Sequence, residues 1–264
     1  MTQVALAQFA PGDDKTANLA LITKLVGDAA DRGARVVVLP EYAMFTVPRM
    51  DHRFVDAAED LDGEFVTGLL GLAADRRVAI VGGMNERLDG SRISNTLVAA
   101  GPDGAVAALY RKIHLYDAFG FRESDVVRAG EITEPETFEV DSVRFGLQTC
   151  YDLRFPEVTR RLADAGAQAV LLPAEWVPGP LKEYHWSTLV RARAIENTLY
   201  VAAAGQAAPT GSGTSMLVDP MGVVVTSLGE QTGVAVGEVS AERIAEVRAK
   251  NPALELRRFT VVPR

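Results

Sequence analysis

The only cysteine in this 264-residue chain, Cys150, lies where the apolar run Phe145–Gln148 gives way to a polar turn. A thiol becomes a strong nucleophile only as a thiolate, which a nearby carboxylate can generate and a nearby ammonium can stabilise. Glu41 and Lys112 could supply those two groups. The alternative is that Cys150 packs inertly, because free cysteines are among the most buried residues.

These three side chains could together cleave an amide bond. Attack on the amide carbon pushes negative charge onto its oxygen, and the Lys112 ammonium and the backbone N–H of Tyr151 are candidate donors to that oxygen. Protonated Glu41 could return a proton to the leaving amine, and Glu41 could then activate the water that hydrolyses the thioester. The residue types therefore predict amide hydrolysis, provided that the fold brings them together.

Each of these residues follows a predicted strand. The buried strand Arg35–Leu39 ends at Pro40-Glu41, the hairpin strand Ala105–Lys112 ends at the lysine, and Val143–Gln148 leads into the cysteine. Strand ends of this kind form the rim at which α/β proteins bind ligands. Another buried strand, Gln168–Leu172, ends at Pro173-Ala-Glu-Trp176, much as the first ends at Pro40-Glu41.

Helices alternate with buried strands in both halves of the sequence, with hairpins between them. Helical periodicity is predicted over 16–31, 64–76, 155–165, 184–199 and 241–250. This alternation predicts an α/β fold with two mixed sheets packed face to face and helices outside, a four-layer α-β-β-α sandwich; a single doubly wound sheet is the alternative. Because no linker divides the chain, we expect one domain over 1–264, with an irregular tail at about 251–264.

Composition limits the partners that the protein can have. A formal charge of -8 and a pI near 5.0 argue against binding to nucleic acid or to an anionic membrane. No window approaches 18 uninterrupted apolar residues, so no membrane span is expected. One cysteine cannot form an internal disulfide, and the N-terminus does not read as a signal peptide. We therefore expect a cytoplasmic protein with a small-molecule partner.

The sequence offers little support for a metal or cofactor. His52, His114 and His185 are far apart and lack a ligand spacing such as H-E-x-x-H. The glycines at 82–83 and 211–213 match no nucleotide-binding motif. We expect neither a metal nor a cofactor.

Three segments around these residues resemble the nitrilase superfamily of carbon-nitrogen hydrolases, whose mark is a Glu-Lys-Cys triad on an α-β-β-α sandwich. The segments are Leu39-Pro-Glu41-Tyr, Tyr110-Arg-Lys112-Ile-His-Leu-Tyr-Asp and Cys150-Tyr-Asp-Leu-Arg-Phe-Pro-Glu. They occur in the order and spacing of that family, and the resemblance covers nearly the whole chain. It implies that Glu41 is the base, Lys112 the oxyanion donor and Cys150 the nucleophile.

The resemblance also implies a second glutamate that positions the lysine and the substrate amide. Glu123, in Phe121-Arg-Glu-Ser124, matches it, although the segment after Lys112 is shorter than in mammalian omega-amidases. A solvated loop carboxylate is the alternative for Glu123. The cysteine is followed by Tyr151-Asp152 rather than Trp-Glu, which is similar to the amidase branches and most similar to the Nit group of omega-amidases and deaminated-glutathione amidases.

Two further residues are candidates for substrate binding. Arg154 corresponds to a position that contacts the substrate carboxylate in carbamoylases of the superfamily, and a guanidinium suits that role. A salt bridge from Arg154 to Asp152 or Glu157 is the alternative. Trp176 could line the pocket or simply pack in the core.

The expected reaction is release of ammonia from a small, carboxylate-bearing carboxamide. An N-carbamoyl amino acid amidohydrolase, which would also release carbon dioxide, is the enzymatic alternative, and a catalytically silent binding protein on the same fold is the other. The late helix with the run Arg191-Ala-Arg-Ala-Ile-Glu-Asn197 often helps to form a dimer in the family, so the resemblance implies a homodimer or higher homo-oligomer.

Overall fold

Two six-stranded sheets form the centre of the computed structural model, which describes residues 1–88 and 90–263. The first sheet is built from β1 (Thr2–Gln8), β2 (Val36–Val38), β3 (Ala79–Arg87), β4 (Ile93–Ala100), β5 (Val106–Arg111) and β12 (Gly233–Val239). The second is built from β6 (Thr137–Val140), β7 (Val143–Leu147), β8 (Ala169–Ala174), β9 (Tyr200–Gly205), β10 (Met216–Val218) and β11 (Val224–Ser227). The helices are α1 (Lys15–Asp31), α2 (Arg53–Asp56), α3 (Glu64–Arg76), α4 (Pro156–Asp164), α5 (Lys182–Asn197) and α6 (Ala241–Lys250).

The two sheets share one plan. Their strand orders are β12-β1-β2-β3-β4-β5 and β11-β10-β9-β8-β7-β6. In the first sheet β2 pairs parallel with β1 and β3, and in the second β8 pairs parallel with β7 and β9, while the outer pairs are antiparallel. The predicted α/β sandwich of two mixed sheets is confirmed, and the doubly wound alternative is wrong.

Three apolar clusters hold the layers together. One lies between the sheets, where side chains such as Leu6 and Val38 meet Leu171 and Ala202. A second packs α1 and α3 onto the outer face of the first sheet, and a third packs α4 and α5 onto the second. The parallel strands are buried on both faces, which explains their continuous runs of branched apolar residues.

The structure differs from the sequence-based expectations in detail. Strand β12 was not predicted, although it pairs along all of β1 from Thr2↔Val239 to Gln8↔Gly233. Helix α5 begins at Lys182 rather than at Tyr184, and β8 continues through Pro173 to Ala174. No helix among the described residues has both the length and the apolar character to span a membrane.

The central strands of the two sheets lie against each other, since β2 contacts both β8 and β9. Consequently the segments that leave the carboxyl ends of β2 and β8 meet at one rim. Each of these segments carries a glutamate, Glu41 after β2 and Glu175 after β8.

Candidate active site

Glu41 is fixed in a buried turn directly after β2. Its Oε1 accepts hydrogen bonds from the Lys112 Nζ at 2.9 Å and the Asn95 Nδ2 at 2.7 Å, and its Oε2 accepts the backbone N–H of Glu175 at 2.7 Å. Gly83 of β3 permits this turn to lie close to the sheet, because a Cβ there would stand 2.6 Å from the Tyr42 nitrogen. The carboxylate is therefore held in one orientation by partners from both sheets.

Lys112 follows β5 and reaches two carboxylates. Its Nζ lies 2.9 Å from Glu41 Oε1 and 2.8 Å from Glu123 Oε2, and its side chain is 2% exposed. Burial by itself would lower the pKa of Lys112, but the charges of Glu123 and Glu41 outweigh burial and raise this pKa well above its usual range. Lys112 thus stays a cation at all working pH values.

Glu123 is buried, and the alternative of a solvated loop carboxylate is wrong. Besides Lys112, its carboxylate accepts the Tyr42 O–H at 2.8 Å, the Tyr116 backbone N–H at 2.6 Å and the Asn95 amide at 3.1 Å. Burial would raise the pKa of Glu123, but Lys112, the Tyr116 N–H and the Tyr42 hydroxyl lower it below its usual value. Glu123 is therefore a permanent anion that holds Lys112 in place.

Cys150 begins a tight 3-10 turn, Cys150–Arg154, after β7. Its φ of 43° places a non-glycine residue in the left-handed region, a conformation that is uncommon and concentrates at functional sites. Asp152 braces the turn, because its carboxylate accepts the Thr149 N–H at 3.1 Å and also the Tyr110 O–H at 2.6 Å. Since Tyr110 belongs to β5, Asp152 ties the cysteine turn to the strand that delivers Lys112.

The surroundings of Cys150 favour the protonated thiol. Burial, followed by the charge of Glu41, raises the pKa of Cys150 well above its usual value, although Lys112 opposes this effect. Its Sγ is 3.5 Å from the carbonyl oxygen of Glu175. A thiolate must therefore be generated during the reaction, and Glu41 is the carboxylate placed to accept its proton.

A cavity of about 360 Å³ opens onto this group of residues. Glu41, Lys112, Glu123, Cys150 and Glu175 all line it. Its other walls come from Tyr42, Val47, Pro48, Arg49, Met50, Phe54, Tyr116, Gly120, Phe121, Arg122, Asp125 and Val177. The structure thus brings the four expected catalytic residues to one cavity large enough for a small molecule.

Arg154 and Lys182 form a second group beside this cavity, and we call it the aromatic cation box. The Arg154 guanidinium carbon lies 4.9 Å from the centre of the Trp176 ring and 5.9 Å from that of Tyr151. The Lys182 Nζ lies 4.7 Å from the Trp176 ring centre and 3.0 Å from the Tyr116 hydroxyl, which connects the box to the cavity.

Arg154 has no carboxylate partner in the part of the chain that the structure describes. The alternative of a salt bridge to Asp152 or Glu157 is wrong, because neither carboxylate pairs with Arg154 among the described residues, and Asp152 is occupied by Tyr110 and His114. The Nε and Nη2 atoms of Arg154 are buried without a hydrogen-bond partner among the described residues. Buried donors of this kind normally have partners.

Trp176 is buried and does not line the cavity itself. Its indole N–H donates to the Lys182 carbonyl oxygen at 2.7 Å, and its ring packs 5.2 Å from that of Trp186. Trp176 therefore supports the aromatic cation box from behind. Tyr151 contributes its ring to the box, and its backbone N–H lies in the first turn of the 3-10 segment, where such groups have no partner within the turn.

Comparison with known proteins agrees with this geometry. The family model for carbon-nitrogen hydrolase matches residues 3–249. The chain belongs to this family. It is 39% identical to the deaminated glutathione amidase of Escherichia coli O157:H7, over 97% of both chains, and 33% identical to the omega-amidase NIT2 of Mus musculus, over 97% of this chain and 95% of the relative.

A solved structure gives the same result for the fold. XC1258 from Xanthomonas campestris, a CN-hydrolase superfamily protein with an arsenic adduct in its active site, superposes with a TM-score of 0.88 at 31% identity and 99% coverage of each chain. The protein is therefore a carbon-nitrogen hydrolase that acts on non-peptide amide bonds, and its resemblance to the Nit group is confirmed.

Several residues of this carbon-nitrogen hydrolase site were not anticipated from the sequence. Asn95 and Tyr42 donate to the glutamates, and Gln206 donates to the Glu41 carbonyl oxygen at 2.9 Å. Lys182 lies just before the predicted helix at 184–199 and was not singled out. Glu175 alone had a usable signal, since it follows a buried strand in the same way as Glu41.

Proposed function

We propose that the protein is an amidase for a small carboxamide that carries a carboxylate, and that it releases ammonia through a thioester on Cys150. The observation that supports the carboxylate is the aromatic cation box, in which half-buried Arg154 and buried Lys182 lie without an anionic partner among the described residues. Buried cations are normally paired. A substrate carboxylate would pair them.

The first half of the reaction uses Glu41 as base and then as acid. Glu41 takes the thiol proton while the sulfur of Cys150 attacks the amide carbon. The oxyanion receives hydrogen bonds from the Lys112 ammonium and the Tyr151 backbone N–H. Collapse breaks the C–N bond, and Glu41 delivers its proton to the nitrogen, which leaves as ammonia.

Water completes the cycle. Glu41, again unprotonated, removes a proton from a water molecule that attacks the thioester carbon. The second oxyanion occupies the same donors, and its collapse expels the sulfur, which recovers a proton from Glu41. Glu123 takes no proton in either half, since its pKa lies below the usual value and its oxygens are occupied by Lys112, Tyr42 and Tyr116.

The test compares two substrates and one substitution. Glutaramate carries the carboxylate, and its methyl ester is the neutral control of the same length. We expect Arg154→Met to raise the KM for glutaramate about tenfold or more, because a charge-assisted hydrogen bond contributes about 1.5–3 kcal/mol. The KM for the neutral control should change little.

Other outcomes would favour the alternatives. Equal KM changes on both substrates would contradict a carboxylate contact by Arg154. Release of carbon dioxide together with ammonia from N-carbamoyl amino acids, at higher kcat/KM than from amides, would identify a carbamoylase. Ammonia release by a Cys150→Ala variant at the wild-type rate would show that Cys150 is not the nucleophile.

We further propose that the enzyme acts in the cytoplasm as a homodimer. A reducing compartment suits a mechanism that depends on a free thiol. Support for the dimer comes from exposed apolar side chains on α5 and the β10–β11 hairpin, namely Ile195, Met221 and Val223. Light scattering should give twice the chain mass, and Ile195→Glu should halve it; a monomeric wild type would contradict the proposal.

A further inference from the structure

Glu175 enters the mechanism above only through its backbone. Its N–H fixes Glu41 Oε2 at 2.7 Å, and its carbonyl oxygen lies 3.5 Å from Cys150 Sγ. Glu175 also lines the same cavity as Glu41, Lys112 and Cys150. A carboxyl group in this place is costly to bury and has no role in forming the thiolate.

Glu175 lies on the Glu41 side of the cavity, because its backbone N–H donates to Glu41 Oε2 at 2.7 Å. Among the charges that act on it, Glu41 is the strongest, followed by Lys112 and Glu123, and its own charge in turn affects Tyr42. This order agrees with that position, and the carboxyl also interacts with Thr46 of the segment that follows β2.

The orientation of the substrate amide then determines which part of the substrate Glu175 contacts. The carbonyl oxygen must point to Lys112 and the Tyr151 N–H, where the negative charge is stabilised. The nitrogen must point to Glu41, which delivers its proton. A side chain beside Glu41 therefore faces the leaving nitrogen rather than the acyl chain.

We propose that Glu175 contacts the leaving amine, accepting an N–H hydrogen bond from it, and that this contact makes the enzyme favour amides over esters with the same acyl group. The proposal rests on the Cys150 mechanism proposed above. When the C–N bond breaks, its electron pair stays on nitrogen and the proton comes from Glu41. Glu175 neither gains nor loses a proton in this step.

The protonation of Glu175 fits this role. Burial, followed by the charge of Glu41, raises the pKa of Glu175 to about 8. Below that pH the carboxyl is neutral, so its carbonyl oxygen can accept an N–H without placing a second negative charge beside Glu41. The other ionisable groups that face it are Lys112, Glu123 and Tyr42. Ionised Glu175 would add a second negative charge near the Cys150 sulfur, which opposes formation of the thiolate.

The test uses a matched pair of substrates, glutaramate and monomethyl glutarate, which form the same thioester. Because kcat/KM extends only to the first irreversible step, hydrolysis of the shared thioester does not affect the comparison. We expect Glu175→Ala to lower kcat/KM for the amide about tenfold or more and for the ester less than about twofold, since the ester leaving group has no N–H to donate.

Glu175→Gln is the matched variant, since its amide keeps a carbonyl acceptor and imitates the neutral acid. It should retain amide activity within about threefold of wild type. Wild-type kcat/KM should fall as the pH rises through about 8, and this fall should be absent in Glu175→Gln. The melting temperature of each variant separates loss of contact from loss of fold.

Two results would overturn the proposal. Equal losses on amide and ester in Glu175→Ala would mean that Glu175 only positions Glu41, and unchanged amide activity would mean that it contacts no leaving group. Failure of the underlying mechanism would be visible separately, because a Cys150→Ala variant would then still hydrolyse both substrates.

Discussion

Two buried lysines stand near the same thiol in opposite electrostatic surroundings. Lys112 is 2.9 Å from Glu41 and 2.8 Å from Glu123. Lys182 is 3.0 Å from the Tyr116 hydroxyl and otherwise lies against aromatic rings beside the cation Arg154. The carboxylates raise the pKa of Lys112 well above its usual range, whereas burial, with the Arg154 charge, lowers the pKa of Lys182.

This difference separates a catalytic cation from a binding cation. The charge of Lys112 is already compensated within the chain, so Lys112 can stay in place and stabilise a transient oxyanion. The charges of Lys182 and Arg154 lack such compensation among the described residues, so an anionic substrate gains by pairing with them. Removing one lysine should therefore damage chemistry and fold, and removing the other should damage binding.

The largest effect is expected for Lys112→Met. Loss of the ammonium leaves Glu41 and Glu123 as two buried carboxylates side by side, and breaking a buried ion pair costs about 3–5 kcal/mol of folding stability. Loss of an oxyanion donor should also lower kcat about 100-fold or more. Chemical denaturation and ammonia release measure the two effects. Lys182→Met, which removes a similar length of charged side chain, is the control. Equal losses of stability in the two variants would contradict the distinction between a catalytic and a binding lysine.

A smaller and different effect is expected for Lys182→Met on substrate binding. Its KM for glutaramate should rise about tenfold, while kcat should stay within about threefold of wild type, because the lost contact is made equally before and during the reaction. The neutral methyl ester of glutaramate should show no such rise in KM. A fall in kcat on both substrates would instead place Lys182 in the chemical step.

The group of Glu41, Lys112 and Cys150 was easier to predict from the sequence than the aromatic cation box. Glu41, Lys112 and Cys150 each follow a strand whose apolar pattern is clear, so their shared rim could be inferred from periodicity and confirmed by the resemblance to a family. The two-sheet sandwich was predicted from the alternation of helices with these buried strands. Strand β12 was missed because Gly233 and Gly237 interrupt its apolar pattern, and its pairing with β1 joins distant parts of the chain.

The box could not be derived in the same way. Lys182 opens a helix in which charged residues are ordinary, and only the packing of α5 on Trp176 makes it a buried cation. Asn95 likewise lies in a strand, and its two carboxylate contacts depend on how Glu41 and Glu123 fold around it. Such contacts arise from tertiary packing, which a local pattern does not encode.

The smallest expected effect is a slope in the pH dependence of stability. The pKa of Lys182 is lower in the folded protein than in the unfolded chain, so between these two values the unfolded chain binds more protons, and the free energy of unfolding rises with pH. The Lys182→Met variant lacks this rise in the free energy of unfolding. Its stability relative to wild type should therefore decline as the pH rises towards 10, whatever the difference at neutral pH. Urea denaturation at a series of pH values measures the slope. A relative stability that rises with pH would mean that Lys182 is paired with an anion in the folded protein, as Lys112 is, and the contrast between the two lysines would be wrong.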